Sequence, residues 1–200
     1  METDLELLNA AKGMHKDALV KIFERYATPL YNYALRLCRD PLLADHIVGD
    51  VFAKLLEHFA AGSGPTSNLR AYLYTTVYHL IVDGARSSHR WAPLDEYRPE
   101  LHYRMPDIEE KAMIEMILNA IHHDLNDVQR HVIILRFLED FSLRETATIV
   151  GKEIGHVKVI QNRALAKLRN VLEDNQRRIA VSLPRTTNQS KALESQAALF

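Results

Sequence analysis

Cysteine is almost missing from this chain: Cys38 stands alone among 200 residues. One thiol cannot form an intramolecular disulfide, and without a C-x-x-C pair there is no structural zinc framework. A reducing cytoplasm is the expected setting, with Cys38 serving as a small apolar residue. Long apolar runs are missing too, since no uninterrupted stretch approaches the roughly 18 residues that cross a bilayer. The start, Met-Glu-Thr-Asp, carries no basic segment followed by an apolar one, so neither export nor membrane insertion is expected. No strand pattern of useful length occurs. A nucleophile, base and orienting group do not occur together, which argues against a hydrolase. His46, Asp50 and His58 share related turns of one helix, and His122-His123-Asp124 is a second cluster, but neither brings a ligand set; no metal or cofactor is expected.

What the chain does have is helical periodicity. Apolar residues recur as Leu5, Leu8 and Ala11; as Ala18, Leu19, Ile22, Phe23 and Tyr26; and as Leu30, Tyr33, Ala34 and Leu37, which reads as three amphipathic helices. Asp40-Pro41 ends the third. Leu43, Ile47, Val51, Leu55 and Phe59 then define a fourth helix ending near Ala61, followed by the loop Gly62-Ser63-Gly64-Pro65. A fifth runs from about Asn68 to Arg86, packing through Leu69, Leu73, Val77, Leu80 and Ile81. Between Ser87 and Pro106 the period stops, and Pro93, Pro99 and Pro106 forbid a continuous helix, so this is a linker. Helix resumes at Ile108, behind Asp107-Ile108-Glu109-Glu110, and runs to Asp124 with Met113, Ile117 and Ile121 inward. Asn126-Asp127-Val128-Gln129 opens another in the same way. With 47% hydrophobic residues, the length fits two small cores better than one. The expected fold is all-α: two small helical domains joined by a flexible acidic linker.

The second domain ends in a helix-turn-helix pattern. Ser142-Leu143-Arg144-Glu145 is a capping box, in which the serine oxygen accepts an orphan amide and the glutamate reaches back to the cap. That predicts a helix from Leu143 to about Val150. Gly151 suits a left-handed C-terminal cap, and Gly155 is expected to permit a second tight bend before the next helix. At roughly 100° per residue, that helix collects Val157, Ile160, Ala164, Leu165, Leu168, Val171 and Leu172 on one arc, the expected core face. Gln161 also falls inward and calls for a buried partner. The opposite arc holds Lys158, Val159, Asn162, Arg163, Ala166, Arg169 and Asn170, rich in donors for phosphates and base edges. Charge is divided accordingly. Residues 1–90 balance ten basic against ten acidic side chains, 91–125 hold three against eight, and 126–200 hold twelve against eight. A basic module tethered by an acidic connector is hidden by a whole-chain net charge of −1.

Three stretches together resemble the extracytoplasmic-function sigma factors of bacterial RNA polymerase: PLLADHIVGDVF from Pro41, RAYLYTTVYHLIVDGAR from Arg70, and LNDVQRHVIILRFLEDFSLRETATIVGKEIGHVKVIQNRALAKLR from Leu125. The likeness spans about Asp4 to Leu172. It implies a first domain (residues 1–88) that binds core polymerase, through its β and β′ subunits, and recognises and melts the minus-ten promoter element. A linker (89–106) and a second domain (107–172) that reads the minus-thirty-five element would follow. It further implies that Asp45, Val48, Asp50, Val51 and Phe52 contact the polymerase, with Asp50 foremost. Tyr72-Leu73 stands where the family usually has Trp-Leu, and Asp83 and Arg86 match its Asp-x-x-Arg ending. With Arg70, Tyr74, Tyr78 and His79, these would hold the displaced minus-ten strand on aromatic faces and cations without bond chemistry. Lys158, Val159, Asn162, Arg163 and Arg169 would read the minus-thirty-five duplex. His46 replaces a usual acid, Gly49 a usual Gln and His79 a usual Asn. In the recognition helix His156 replaces Thr, and Val159-Ile160 replaces a common Ser-Arg pair; an outward Val159 suits a thymine methyl. An anti-sigma partner is implied as well.

The competing reading is a helix-turn-helix regulator that does not melt DNA, against which the resemblance over Ala44 to Arg86 stands. Residues 173–200 extend past the resemblance; Arg177-Arg178 adds cations and 184–190 reads as flexible, and a disordered end is expected ahead of the alternative, a short helix over 192–200 that docks on one of the domains.

Overall fold

The computed structural model describes residues 2–87 and 108–182, and every regular element in them is an α-helix. The first body comprises α1 (Asp4–Lys12), α2 (Lys16–Cys38), α3 (Pro41–Ala60) and α4 (Leu69–Ser87), and the second α5 (Ile108–Asp124), α6 (Asp127–Phe137), α7 (Leu143–Ile149) and α8 (Ile154–Ser182). Residues 88–107, which include the expected linker (89–106), and the tail beyond Ser182 lie outside the described residues.

Local chemistry sets the boundaries. Thr3 and Glu6 form a reciprocal capping box at α1, and Asp40 accepts from the amides of Leu42 and Leu43 with Pro41 at the first helical position of α3. The blocks around Ile22 and Leu30 are not separate helices: α2 passes through Pro29. An interior proline costs roughly 3 kcal/mol. Here it is offset by continuous burial of Ile22, Tyr26, Leu30, Tyr33 and Leu37 against Leu7, Leu8, Val51, Leu55, Leu69, Leu73 and Val77. Phe23, expected inward, is 51% exposed because the buried stripe follows 22, 26, 30 and 33 and leaves it outside.

In the second body the capping boxes at Asn126–Gln129 and Ser142–Glu145 both form, starting α6 and α7 as predicted. Gly151 takes a φ of 61° immediately after α7. Gly155 makes no bend; it lies in the first turn of α8, and the connection is completed by the four residues from Val150 to Glu153, with Gly151 at positive φ. α8 runs on to Ser182, beyond Leu172, where the resemblance ends. Ile121, Leu125, Val132, Ile134, Leu135, Ile149, Val157, Ala164 and Leu168 fill this body's core.

The two bodies touch directly through the turn between α6 and α7. Glu139, 8% exposed, accepts from Arg36 Nη1 at 2.6 Å on one carboxylate oxygen and from the Tyr74 hydroxyl at 2.6 Å on the other. Its carbonyl accepts from Arg70, whose guanidinium lies 3.9 Å from the centre of the Phe141 ring. Asp140, with a φ of 52°, lets both flanking residues reach Tyr74. One turn away, His131 is 1% exposed, its Nδ1 2.7 Å from the Tyr33 hydroxyl and its ring 4.7 Å from that of Tyr78. Arg39 closes the edge on Asn119 at 3.1 Å.

Two glycines separate backbone from packing effects. A methyl at Gly49 or Gly151 meets nothing within 4 Å, but only Gly151 has positive φ. Gly49→Ala is expected to stabilise the protein by about 0.5–1 kcal/mol. Gly151→Ala is expected to destabilise it by about 1 kcal/mol; urea melts decide both signs.

Burial, and then the Arg130 charge, hold the His131 imidazole down at about 3 against an ordinary 6.5. It is neutral when folded and takes a proton when exposed. Its contribution is therefore complete above 6.5 and is lost as pH falls from 6.5 toward 3, worth on the order of a few kcal/mol. His122, held at about 4 by burial and neighbouring cations, acts in the same direction. Glu139 opposes both, because burial raises its carboxyl. Melting temperatures from pH 7.5 to 5.5 are expected to fall more steeply in the wild type than in His131→Gln.

Candidate nucleic-acid and partner interfaces

Three helices carry the candidate residues, and each presents them differently. On α8 the outer arc is open: Lys158, Val159, Asn162, Arg163, Ala166, Arg169 and Asn170 are all exposed. On the inner arc Val157, Ala164 and Leu168 are buried. Leu165 is not, because it sits about 80° from the centre of that arc and reaches solvent at its rim. Gln161 finds its partner in Arg136, whose Nε donates to Gln161 Oε1 at 3.1 Å while another of its nitrogens donates to the Phe141 carbonyl. This pins α8 to the α6–α7 turn. With the short turn at Gly151, it holds α8 rigidly across α7, its donors outward. The arrangement can grip phosphates and probe base edges, with Val159 as an apolar contact among the donors.

On α4 the seven expected strand-binding residues do not share a face. Tyr72, His79 and Asp83 form one stripe, with His79 and Asp83 exposed and Tyr72 half-buried, its hydroxyl 2.5 Å from His58 Nδ1. Arg86 falls on the same side of the wheel by spacing, and its side chain lies outside the described residues. Arg70, Tyr74 and Tyr78 form the opposite stripe, at intervals of four, and face the second body. Tyr74 packs between Tyr33 and Phe141 at 5.0 and 4.8 Å and bonds Glu139; Tyr78 lies against His131. Burial, joined by the Glu139 charge, raises the Tyr74 hydroxyl well above its usual range, so it remains a proton donor. The expectation that Tyr74 and Tyr78 stand ready for a strand is therefore corrected: both are buried by interdomain packing.

On α3 the predicted set divides by periodicity. Asp45 and Asp50 are exposed, whereas Val48 and Val51 are buried with the core and cannot themselves meet a partner. Phe52 is half-buried, and its ring lies 4.8 Å from that of Phe23 on α2. The exposed Phe23, with Val20 and Leu56 also exposed, is a surface the sequence pattern did not single out. The available signal was one apolar residue too many for the α2 stripe. Arg36, His131, Glu139 and Phe141 were missed as well. A carboxylate and an arginine 103 positions apart carry no local signature.

Cys38 is half-buried beside the Asp40 carbonyl, and the loss of solvent pushes its thiol up to about 11, the behaviour of an inert apolar residue. Among the described residues no helix is long and apolar enough to cross a membrane.

Comparison with known proteins agrees with both bodies. Residues 22–91 match the model of sigma-70 region 2, and residues 123–170 that of sigma-70, region 4. The extracytoplasmic-function (ECF) RNA polymerase sigma factor BldN of Streptomyces coelicolor is 27% identical over 183 residues, covering 86% of this chain and 67% of that protein. YlaC of Bacillus subtilis, also an RNA polymerase sigma factor, is 24% identical over 165 residues, 78% of this chain and 92% of its own. Among solved structures, CnrH in complex with the cytosolic domain of CnrY superposes with a TM-score of 0.66 at 20% identity, over 86% of this chain and 99% of CnrH. The sigma factor RpoE in complex with the anti-sigma factor NepR from Bartonella quintana gives 0.61 at 23% identity, over 76% and 95%. At these identities the superpositions speak for the fold, while the two region matches fall on the two helical bodies in order. The chain belongs to the sigma-70 family, in its extracytoplasmic-function group, and serves to direct RNA polymerase to promoters.

Proposed function

We propose a division of labour in which α3 docks on core polymerase, α4 holds the opened minus-ten strand, and α8 reads the minus-thirty-five duplex. The observation that carries it is the outer arc of α8, where three cations, two amides and the apolar Val159 and Ala166 project together from a helix locked at its base. On α3 the exposed Asp45 and Asp50 meet basic groups of the β and β′ subunits, and the Phe23–Phe52 pair supplies apolar area beside them. Val48 and Val51 act only by holding that helix in place. On α4 the outward stripe of Tyr72, His79 and Asp83 contacts displaced bases by stacking and hydrogen bonding, and Arg86, which follows it by helical spacing, is the next candidate. His79, where the family usually has Asn, changes which base edge is read there. The protein supplies binding energy and positioning and no bond chemistry, so it is a non-catalytic subunit. It works in the cytoplasm, where polymerase and DNA are, with the domain boundaries given by the sequence pattern. The complexes of CnrH with CnrY and of RpoE with NepR favour an anti-sigma partner for this chain too.

Run-off transcription with purified core polymerase on a promoter library tests the whole reading: starts downstream of a shared two-part motif support it. Initiation failing while the protein alone binds duplex DNA specifically would favour a regulator that does not melt DNA. Lys158→Ala and Arg163→Ala are each expected to weaken minus-thirty-five binding on every sequence and to flatten the slope of log K against log salt by about 0.9. Asn162→Ala is expected to lose discrimination at one base pair by about 1–3 kcal/mol and to leave the salt slope unchanged. Asp50→Lys is expected to slow association with core polymerase about tenfold at low salt, less at high salt, without moving the melting temperature.

A further inference from the structure

We propose that His58, in the last turn of α3, is a positioning residue for promoter opening, which presets the Tyr72 ring to receive a displaced minus-ten base. The inference rests on the reading of α4 as the minus-ten face. It adds a residue from another helix, outside all three stretches that carry the family resemblance. The Tyr72 hydroxyl lies 2.5 Å from His58 Nδ1, and the two rings stand 6.1 Å apart at an angle of 66°. The imidazole thus bonds the phenol without stacking on it, and does not take the place of a base. His58 also anchors the loop that leads into α4. Its carbonyl accepts from the Ser63 amide at 2.8 Å and from the Ser63 hydroxyl at 3.0 Å. Gly64, with a φ of 105°, lays that loop against the end of α3, where an added methyl would stand 3.4 Å from His58 Cβ and from the Phe59 ring. Imidazole, loop and phenol are held together by contacts made within the first body.

The residue type at position 72 gives the pair its purpose. A tyrosine stands where a tryptophan is usual, so the stacking area is smaller. A half-buried ring that turns freely must also lose that freedom when a base settles on it, a cost taken from the binding. The bond to His58 fixes the ring before the base arrives. With the imidazole hydrogen on Nε2, Nδ1 accepts from the hydroxyl and the ring plane is set from its far end. Tyr74 shows the contrast on the same helix: its hydroxyl is bonded to Glu139 and its ring is buried, whereas Tyr72 keeps part of its ring in solvent. His58 itself is exposed. Its truncation removes a tether and leaves the apolar core of the first body complete, so the effect is expected in opening and not in folding.

The test uses holoenzyme assembled from core polymerase and the full chain, on a promoter taken from the run-off library. A fluorescent adenine analogue in the minus-ten element brightens as its base leaves the stack and reports the rate of opening. His58→Ala and Tyr72→Phe are each expected to slow opening about fivefold, the loss that ordering one side chain at the moment of binding brings. The double variant is expected to be no slower than either single one, because both substitutions remove the same bond. His58→Asn, whose amide oxygen stands near the place of Nδ1, is expected to recover most of the rate. Affinity for a fork template with an unpaired minus-ten strand falls in parallel, while minus-thirty-five duplex binding and the melting temperature keep their wild-type values. A merely structural role would lower the melting temperature and would not be cancelled by Tyr72→Phe. Two results overturn the positioning role and leave the α4 reading standing: His58→Ala opening at the wild-type rate although Tyr72→Ala is slow, or losses that multiply in the double variant. Tyr72→Ala opening at the wild-type rate instead removes the α4 reading, and the role of His58 with it.

Discussion

One buried carboxylate organises the relation between the two bodies. Moving an ionised glutamate out of water costs several kcal/mol after relaxation, and Glu139 stays there because both its oxygens are filled, one by Arg36 and one by Tyr74. The tension shows in its titration: burial raises the carboxyl, while Tyr74, Arg36 and Arg70 pull it down. Contrast the pair Lys21–Glu2, equally short at 2.7 Å but about half exposed on both sides, where solvent screening leaves little net stabilisation. Both are salt bridges by distance. Only the buried one fixes an arrangement, since removing either partner leaves a charge with no water to take it.

That constraint reaches α8 through a short chain of contacts. Phe141 follows Glu139 by two residues, carries the Arg70 guanidinium on its ring, and receives Arg136 at its carbonyl; Arg136 in turn holds Gln161 on α8. The turn between α6 and α7 is thus shared by the interdomain contact and by the seating of α8. Within each body the stabilisation is of another kind, apolar stripes at helical spacing closed by side-chain caps. This kind of packing tolerates substitution of similar volume. The polar contact between the bodies does not.

The helices were legible because their signals are local. Capping boxes at Asn126 and Ser142, Asp40-Pro41 before α3 and glycine after α7 each act over three or four residues, and each sits where the pattern put it. The errors have equally physical sources. Pro29 looked like a break because its local cost is visible and the tertiary burial that outweighs it is not. Gly155 looked like a bend because glycine permits one without requiring it. Leu165 and Phe23 were placed inside by a wheel that marks arcs but not where the neighbouring helix ends. The exposure of the candidate residues on α8 could be read from periodicity alone, since it depends there only on the helix's own face. Those on α4 could not, since what covers Tyr74 and Tyr78 lies more than fifty residues away in sequence.

The two stripes of α4 also limit what a resemblance can transfer. Motif identity places Arg70, Tyr72, Tyr74, Tyr78, His79, Asp83 and Arg86 on one helix, but opposite faces of a helix about 10 Å across cannot both stack on one extended strand. The stripe of Tyr72, His79 and Asp83 faces outward without any rearrangement, and it contains the substitution of His for the usual Asn. An imidazole offers one donor and one acceptor when neutral and two donors when charged, whereas an amide offers both roles at every pH. On the proposed reading of α4 as the minus-ten face, a difference in preference between this chain and its relatives is therefore to be sought at His79, which is exposed. Tyr74 and Tyr78 belong to a different problem, the contact between the bodies, where a hydroxyl that stays protonated and a ring against a neutral histidine are what the Glu139 and His131 partners require.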